Sequence, residues 1–324
     1  MRVRCYVAKS VQLSYLGHSL AGLFDQPDCS VTLEIVDWVA DAQCIAIDVD
    51  GTRLVIEVYD QTDQWNLELL DWCDVYAKRN IDPLRAAPMA QKIIPYGMNL
   101  ASHSKRSVFA VLAAMAAALP SGFRPRPFAI YCYVVTPHWR DFEHGPSMPV
   151  EDEILYQTRV WDPVDSAEDT SINEERIALL RALRKEFKHR LVGGLVPNDY
   201  ARLNYPDLIT RIPSRHRQYI SSAKRPAIAI YSRGLFGSIA FKMPEYLAAS
   251  KCVVSDPIGN LLPAPLSYAL QYSSVDACVA RCQEALSNRE LMRYQRECSW
   301  DYYKAHVRCP TAIRRILDIA KQWK

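Results

Sequence analysis

From about residue 151 onward, short apolar runs alternate with stretches of helical pattern. "ILYQTRVW" (Ile154 to Trp161), "LVGGLV" (Leu191 to Val196), "AIAIYS" (Ala227 to Ser232) and "CVVSD" (Cys252 to Asp256) have the length of strands and are largely apolar. Strands of that kind are covered on both sides, which is the condition of a parallel sheet wrapped by helices. The intervening "INEERIALLRALRKEFKHR" (Ile172 to Arg190) puts Ile177, Leu180, Leu183 and Phe187 on one helical face. Ser171 is its expected N-cap, with Glu174 three residues later as in a capping box. Ser214 to Lys224 and Ile239 to Ser250 read as further helices, and the last fifty residues are mostly helical in pattern.

The first part is richer in strands. "RVRCYVA" (Arg2 to Ala8), "VTLEIVD" (Val31 to Asp37), "CDVYAKR" (Cys73 to Arg79) and "KIIPYG" (Lys92 to Gly97) are extended candidates. "CIAIDVDGTRLVIEVYD" sets two β-rich runs around Asp50-Gly51, a strong hairpin signal. Val108 to Leu119 reads as a core helix and "FAIYCYVV" (Phe128 to Val135) as a buried strand. The proline-bearing, polar stretch Thr136 to Glu153 marks the expected domain boundary, giving domains 1–150 and 151–324. A length of 324 residues accommodates both.

Charge and cysteine usage narrow the function classes. The net charge of +3 comes without a dense Lys/Arg run, so no nucleic-acid partner is expected. The 10 cysteines include no CxxC; Cys278 and Cys282 lie one helical turn apart without a histidine pair, so no metal site is expected. "MRVRCYVAKS" lacks the apolar core of a signal peptide, and "VFAVLAAMAAAL" (Val108 to Leu119) is shorter than the ~20 residues that span a bilayer. The expectation is a reduced, cytoplasmic protein.

"RGLFGS" is the turn at the carboxyl end of the "AIAIYS" run, where open α/β sheets bind ligands. Gly234 and Gly237 allow close backbone approach there, and a following helix N-terminus suits phosphate. Lys242 adds a positive charge, and Glu245 is a carboxylate able to accept from a diol. Spacing alone leaves a second reading open: Lys242 and Glu245, three apart, also make a solvated ion pair.

"GLFGSIAFKMPEYLAASKCVVS" resembles the signature segment of nucleotide-sugar glycosyltransferases of the GT-B fold, in a bacterial, family-1-like branch. "DVYAKR", "IIPYGMN", "TRVWDP", "EER" ending at Arg176, and "LVGGLVP" follow the same branch in the same order, from about Tyr59 to Pro257. The resemblance implies two Rossmann-like domains facing a cleft, with a C-terminal helix crossing back over the first. It implies a nucleoside-diphosphate sugar as donor substrate, no separate cofactor and no metal. In it Glu245 meets the donor ribose, Lys242 and Arg159 face the diphosphate, and Gly234, Gly237 and Ser238 belong to a backbone cradle. Gly237 stands where many retaining members carry the first glutamate of an EX7E motif, so the stereochemical outcome is left open.

Transfer needs a base near the acceptor hydroxyl. Asp60 and Asp63, at the end of a strand, and His103, after "IIPYGMN", are the candidates, each with a turn, capping or solvated reading beside it. Lys78 and Arg79 end another strand and face either the cleft or the surface; Arg176 either reaches the phosphates or pairs with a carboxylate. "DVD" at Asp48 to Asp50 is explained by its hairpin turn. In the tail, Arg314, Arg315, Lys321 and Lys324 suit either a solvated helix face or weak contact with anionic lipid, which would match a glycan or lipid-linked acceptor. Two rivals remain: a non-catalytic binding protein of the same shape, and a nicotinamide-dependent oxidoreductase, which lacks G-x-G-x-x-G after any expected strand.

Overall fold

The computed structural model describes residues 1–85, 89–163, 167–213 and 216–323. Two compact units emerge, one holding Met1–Asp141, Gly259–Pro265 and Lys304–Lys324, the other Phe142–Ile258 and Leu266–Tyr303.

The first unit begins with β1 (Arg2–Ala8), α1 (Leu13–Phe24), β2 (Ser30–Val36), β3 (Cys44–Val49) and β4 (Thr52–Glu57). It continues with α2 (Leu67–Trp72), β5 (Val75–Lys78), β6 (Ile93–Pro95), α3 (Lys105–Ala118) and α4 (Pro127–Val135). The sheet order is β2-β1-β3-β4-β5-β6. All its strands run parallel except β3, which pairs antiparallel with both β1 and β4. The reason is local: Asp50 (φ 49°) and Gly51 (φ 94°) are both left-handed, so β3 turns back at once into β4. Side chains alternate across this sheet. Ile45, Ile47, Leu54 and Ile56 pack with the α1 leucines, while Cys44, Ala46 and Val55 pack with Leu69 and Leu70 of α2.

"FAIYCYVV" is a helix, not the expected buried strand. Pro127 stands at its start, where the missing N–H removes no helical bond and φ is pre-set. The run looks uniformly apolar because only one side of the helix is covered: Tyr133 is 1% exposed, Phe128 78% and Tyr131 63%.

The second unit runs β7 (Glu151–Thr158), α5 (Ala167–Phe187), β8 (Leu191–Leu195), α6 (Asp199–Asn204), α7 (His216–Lys224), β9 (Pro226–Tyr231), α8 (Lys242–Ala248), β10 (Cys252–Ser255), β11 (Leu270–Gln271), α9 (Val275–Ser287) and α10 (Arg289–Tyr302). Its sheet is parallel throughout, in the order β11-β10-β9-β7-β8. Read by position in the chain, this is the doubly wound order 2-1-3-4-5, with its switch point between β7 and β9. The "GG" of β8 is a packing requirement. A Cβ on Gly194 (φ 142°) would lie 2.5 Å from the Leu208 carbonyl oxygen.

Two helix starts differ from expectation. α5 begins at Ala167, so Ser171 lies inside it, its hydroxyl 3.5 Å from Glu175 one turn on, and caps nothing. α8 begins at Lys242 rather than Ile239. Pro244 has no N–H for the Ala240 carbonyl and its ring would collide there, so the helix cannot extend back. Ser214, the expected start of α7, and Lys324 lie outside the described residues.

The last helix, α11 (Cys309–Gln322), belongs to the first unit. Its buried Ile313, Ile316, Leu317 and Ala320 join the core of α1 and the sheet. A Cβ on Gly22 of α1 would stand 2.4 Å from the Cys309 carbonyl oxygen, so glycine sets how closely the two helices meet. Arg314 pairs with Asp28, and Arg315 donates to the carbonyls of Pro95 (3.1 Å) and Tyr96 (2.8 Å). These arginines, read from sequence as one possible lipid contact, are thus engaged inside the first unit. Among the described residues, no helix is long and apolar enough to cross a membrane.

Candidate functional site

At the switch point of the second sheet, β7 leads into Arg159 and β9 into Arg233. Both loops are held by Arg176 of α5, which is 4% exposed. Its guanidinium donates to the Arg159 carbonyl and to the Arg233 carbonyl, each at 2.7 Å, and lies 4.7 Å from the Trp161 ring centroid. Burial pushes its pKa down. Of the two roles open to Arg176 from sequence, reaching phosphates or pairing with a carboxylate, the second is not seen among the described residues: its hydrogen bonds go to carbonyls. It is a clamp on backbone. The side chain of Arg233 reaches Glu175 at 2.7 Å and Asp256, at the end of β10, at 3.4 Å. Burial holds the Asp256 carboxyl above its ordinary range, against the pull of Arg233.

The turn that follows β9 closes on itself. The Gly234 N–H donates to the Ser238 carbonyl at 2.9 Å and the Ser238 N–H to the Leu235 carbonyl at 3.0 Å. The amides of Gly234 and Ser238, expected in an open cradle, are therefore occupied. A Cβ on Gly234 would sit 2.4 Å from Ser238 Oγ. Phe236 (φ 57°) and Gly237 (φ 66°) are both left-handed, and Phe236 is strained there because it has a Cβ. Such strain collects at functional turns. Ala240 N–H donates to the Tyr231 hydroxyl at 3.2 Å, so the last residue of β9 also fixes the approach to α8.

Lys242 and Glu245 pair at 2.9 Å on the first turn of α8. The Lys242 ammonium also sits 3.5 Å from the centroid of the Tyr219 ring of α7. Glu245 borders a cavity of about 10 Å³ with Tyr219, Ile220, Tyr246 and Ala249, room for one water. His216, at the start of α7, joins this group and has no signal in the sequence. Its pKa is lowered, first by the surrounding protein; Glu245 opposes, and Lys242 and Arg159 add to the lowering. The charges of Glu245, Lys242 and Arg159 thus all reach His216.

The other candidates lie in the first unit. Asp60 binds Arg79 at 2.7 Å, with Arg79 1% exposed. Lys78 is fully buried rather than on a cleft or the surface. It donates to Glu57 at 2.5 Å and to the Gln64 carbonyl at 2.7 Å, with the Trp65 ring 4.6 Å away. Burial raises the Glu57 pKa to about 7, with Lys78 opposing. Asp63 pairs with Arg85 at 2.6 Å on the surface. His103 stands beside the Tyr133 and His138 rings, at 5.9 and 6.1 Å, just ahead of the Ser104 cap of α3. Asp60 and His103 thus keep different neighbours.

Sequence reading passed over His18. It is 0% exposed on α1, and its Nδ1 accepts the Leu100 N–H at 2.8 Å. Burial, then the charge of Arg79, pushes its pKa down to about 3, so the ring is neutral with its proton on Nε2. Tyr15, one turn earlier, is influenced by both Asp60 and Arg79. Asp60 and Arg79 pair just past the carboxyl ends of β4 and β5, and Tyr15 and His18 of α1 feel charge from that pair.

No protein family model matches the chain, and no curated protein does. Solved structures do show likeness. A UDP co-structure of S. aureus MnaA is 9% identical, with a TM-score of 0.44 over 98% of this chain and 95% of that one. A glycosyltransferase from Rickettsia africae is 12% identical, with a TM-score of 0.47 over 99% and 97%. A UDP-GlcNAc 2-epimerase from Neisseria meningitidis bound to UDP-GlcNAc is 10% identical, with a TM-score of 0.35 over 99% of each chain.

Proposed function

We propose that the chain is a glycosyltransferase of GT-B type that moves a sugar from a nucleoside-diphosphate sugar to an acceptor hydroxyl, in polysaccharide or glycoconjugate assembly in the cytoplasm. One observation carries the reading. At the carboxyl edge of the second sheet, at its switch point, Arg159 follows β7, and the strained glycine turn after β9 leads into α8, whose first turn holds the Lys242–Glu245 pair. Cations at the end of parallel strands suit a diphosphate, and Glu245 suits the ribose diol. Arg176 keeps the β7 and β9 loops at fixed separation, which is preorganisation toward the charge that develops as the diphosphate leaves. In the reaction the acceptor oxygen bonds the anomeric carbon, the carbon–diphosphate bond breaks, and a carboxylate takes the hydroxyl proton. Asp60 is the carboxylate proposed for that step, with Arg79 orienting it. His103 is the weaker choice, enclosed as it is by Tyr133 and His138.

A second reading, binding without turnover, draws on Gly237 at the glutamate position and on the Lys242–Glu245 pair, whose charges satisfy each other. Thermal shift with UDP, GDP, ADP, dTDP and their sugar conjugates, on wild type and Glu245→Ala, tests donor binding. A ligand at a hundredfold its Kd adds about 2.7 kcal/mol. Stabilisation of wild type by one nucleotide, lost in the variant, supports the site; no response from either folded protein sinks it. Slow hydrolysis of the bound nucleotide sugar, abolished by Asp60→Asn with binding intact, separates transfer from binding alone.

A further inference from the structure

We propose that the outer face of α3 and α4 in the first unit is a docking surface for an anionic lipid membrane. The reading goes beyond nucleotide-sugar chemistry and does not depend on it. On α3, Phe109 is 72% exposed and Leu112 41%; Leu119, just past its end, is 48%. On α4, Phe128 (78%), Tyr131 (63%), Val134 (41%) and Val135 (39%) follow helical spacing along one side. The opposite sides are buried through Val111, Ala114, Met115 and Tyr133. Both helices pack on α1, and the Ser107 and Tyr133 hydroxyls meet at 2.8 Å, so the two exposed faces are neighbours. A soluble surface rarely leaves this much large apolar side chain in one place without a use.

Charge identifies the occupant. Between Asp82 and Asp141 the sequence holds no Asp or Glu. Lys105 and Arg106 stand exposed at the start of α3, and Arg124 and Arg126 stand exposed before α4. Asp37, which comes to this rim through Lys9, is already paired with it at 2.8 Å. An apolar ridge with cations at its ends and no Asp or Glu within its own stretch of chain matches the headgroup boundary of an anionic bilayer, with aromatic and aliphatic side chains entering the acyl layer. A second copy fits worse, because apposing the same face would set Arg124 and Arg126 against like charges.

Co-sedimentation of the full chain with vesicles of phosphatidylcholine containing phosphatidylglycerol, against phosphatidylcholine alone, tests this. The anionic vesicles are expected to capture the protein, less so as salt rises, and the neutral vesicles much less. Replacing Arg124 and Arg126 by Gln should weaken capture by about fivefold for each cation. Phe109→Ser with Phe128→Ser should weaken it about tenfold or more, while the thermal midpoint stays that of wild type, since both rings are mostly exposed. Failure of anionic vesicles to bind at low salt overturns the proposal. So does capture that is indifferent to both pairs of substitutions. Self-association in sedimentation velocity that the Phe variants abolish would assign the face to a second copy and overturn it as well.

Discussion

Replacing Arg176 by Met would test whether one buried guanidinium holds the switch point together. The change keeps an apolar stem of similar length over Trp161 and removes only the charged fork. Two carbonyls, of Arg159 and Arg233, then lose donors at 2.7 Å. Each carbonyl left buried without a partner costs about 1–3 kcal/mol, and loss of the ring contact adds about 0.5–2 kcal/mol. The fold no longer has to bury a charge, which returns part of this and leaves a net loss of about 3 kcal/mol. Arg176→Lys should lose about 2 kcal/mol, because an ammonium does not span both carbonyls in the fixed plane of a guanidinium. Thermal unfolding followed by tryptophan fluorescence reads this directly, since Trp161 faces the missing group. Arg176 and both of its carbonyl partners belong to the second unit, so the unfolding step of that unit is the one that should move. For a unit of that size, 3 kcal/mol lowers Tm by roughly 6–12 °C. A loss below about 0.5 kcal/mol in Arg176→Met, the scatter of ordinary surface changes, would refute the clamp.

Two further outcomes follow from other buried cations. Lys251 is 0% exposed, and its amine donates to the carbonyls of Lys224 and Pro226. Burial, aided by Arg296 and Lys224, lowers its pKa from 10.5 to about 7. Below pH 7 both folded and unfolded chains hold the proton. Between pH 7 and 10.5 only the unfolded chain does, so stability rises with pH across that window, is lost again as pH falls from 10.5 to 7, and is flat below it, with a ceiling on the order of 5 kcal/mol. Chemical denaturation of wild type should gain stability from pH 6.5 to 9 relative to Lys251→Met; parallel profiles would dismiss the assignment. Lys78→Met alone should destabilise by about 3–5 kcal/mol, because it strands the buried Glu57. Glu57→Gln with Lys78→Met should recover most of that while still accepting from the Tyr76 hydroxyl; a double variant as unstable as the single would show the pair to be stabilising in itself.

What was legible in the sequence was legible for a physical reason. A parallel strand buried on both faces must be an unbroken apolar run, and "AIAIY" and "CVVS" became β9 and β10. The Asp50-Gly51 hairpin was visible because few other dipeptides take left-handed φ twice. The same reasoning failed for "FAIYCYVV", where an apolar run belonged to a half-exposed helix. Composition reports how apolar a segment is and not what covers it. The start of α8 could have been placed from Pro244, a signal present in the sequence and not used. Arg176 and His216 are different in kind. The partners of Arg176 are carbonyls 17 and 57 residues away, and the surroundings of His216 come from other elements, so no local pattern records either.

The Lys242–Glu245 pair, legible from spacing but ambiguous in meaning, gains content from what surrounds it. An exposed i,i+3 pair is worth a few tenths of a kcal/mol and would not hold a fixed geometry. Here Glu245 is 12% exposed, and the Lys242 ammonium rests 3.5 Å from the centre of the Tyr219 ring, itself mostly buried on α7. Packing against a ring removes rotamer freedom before any ligand arrives, so less ordering remains to be done on binding. A diphosphate that drew Lys242 away would leave Glu245 without its counter-ion unless a diol or another donor took the carboxylate at the same time. The two halves of a nucleoside diphosphate supply both, whereas inorganic pyrophosphate supplies only the first. The pair therefore discriminates in the direction the proposed donor requires: nucleoside diphosphate should bind much more tightly than pyrophosphate, and Glu245→Gln should narrow the gap between them.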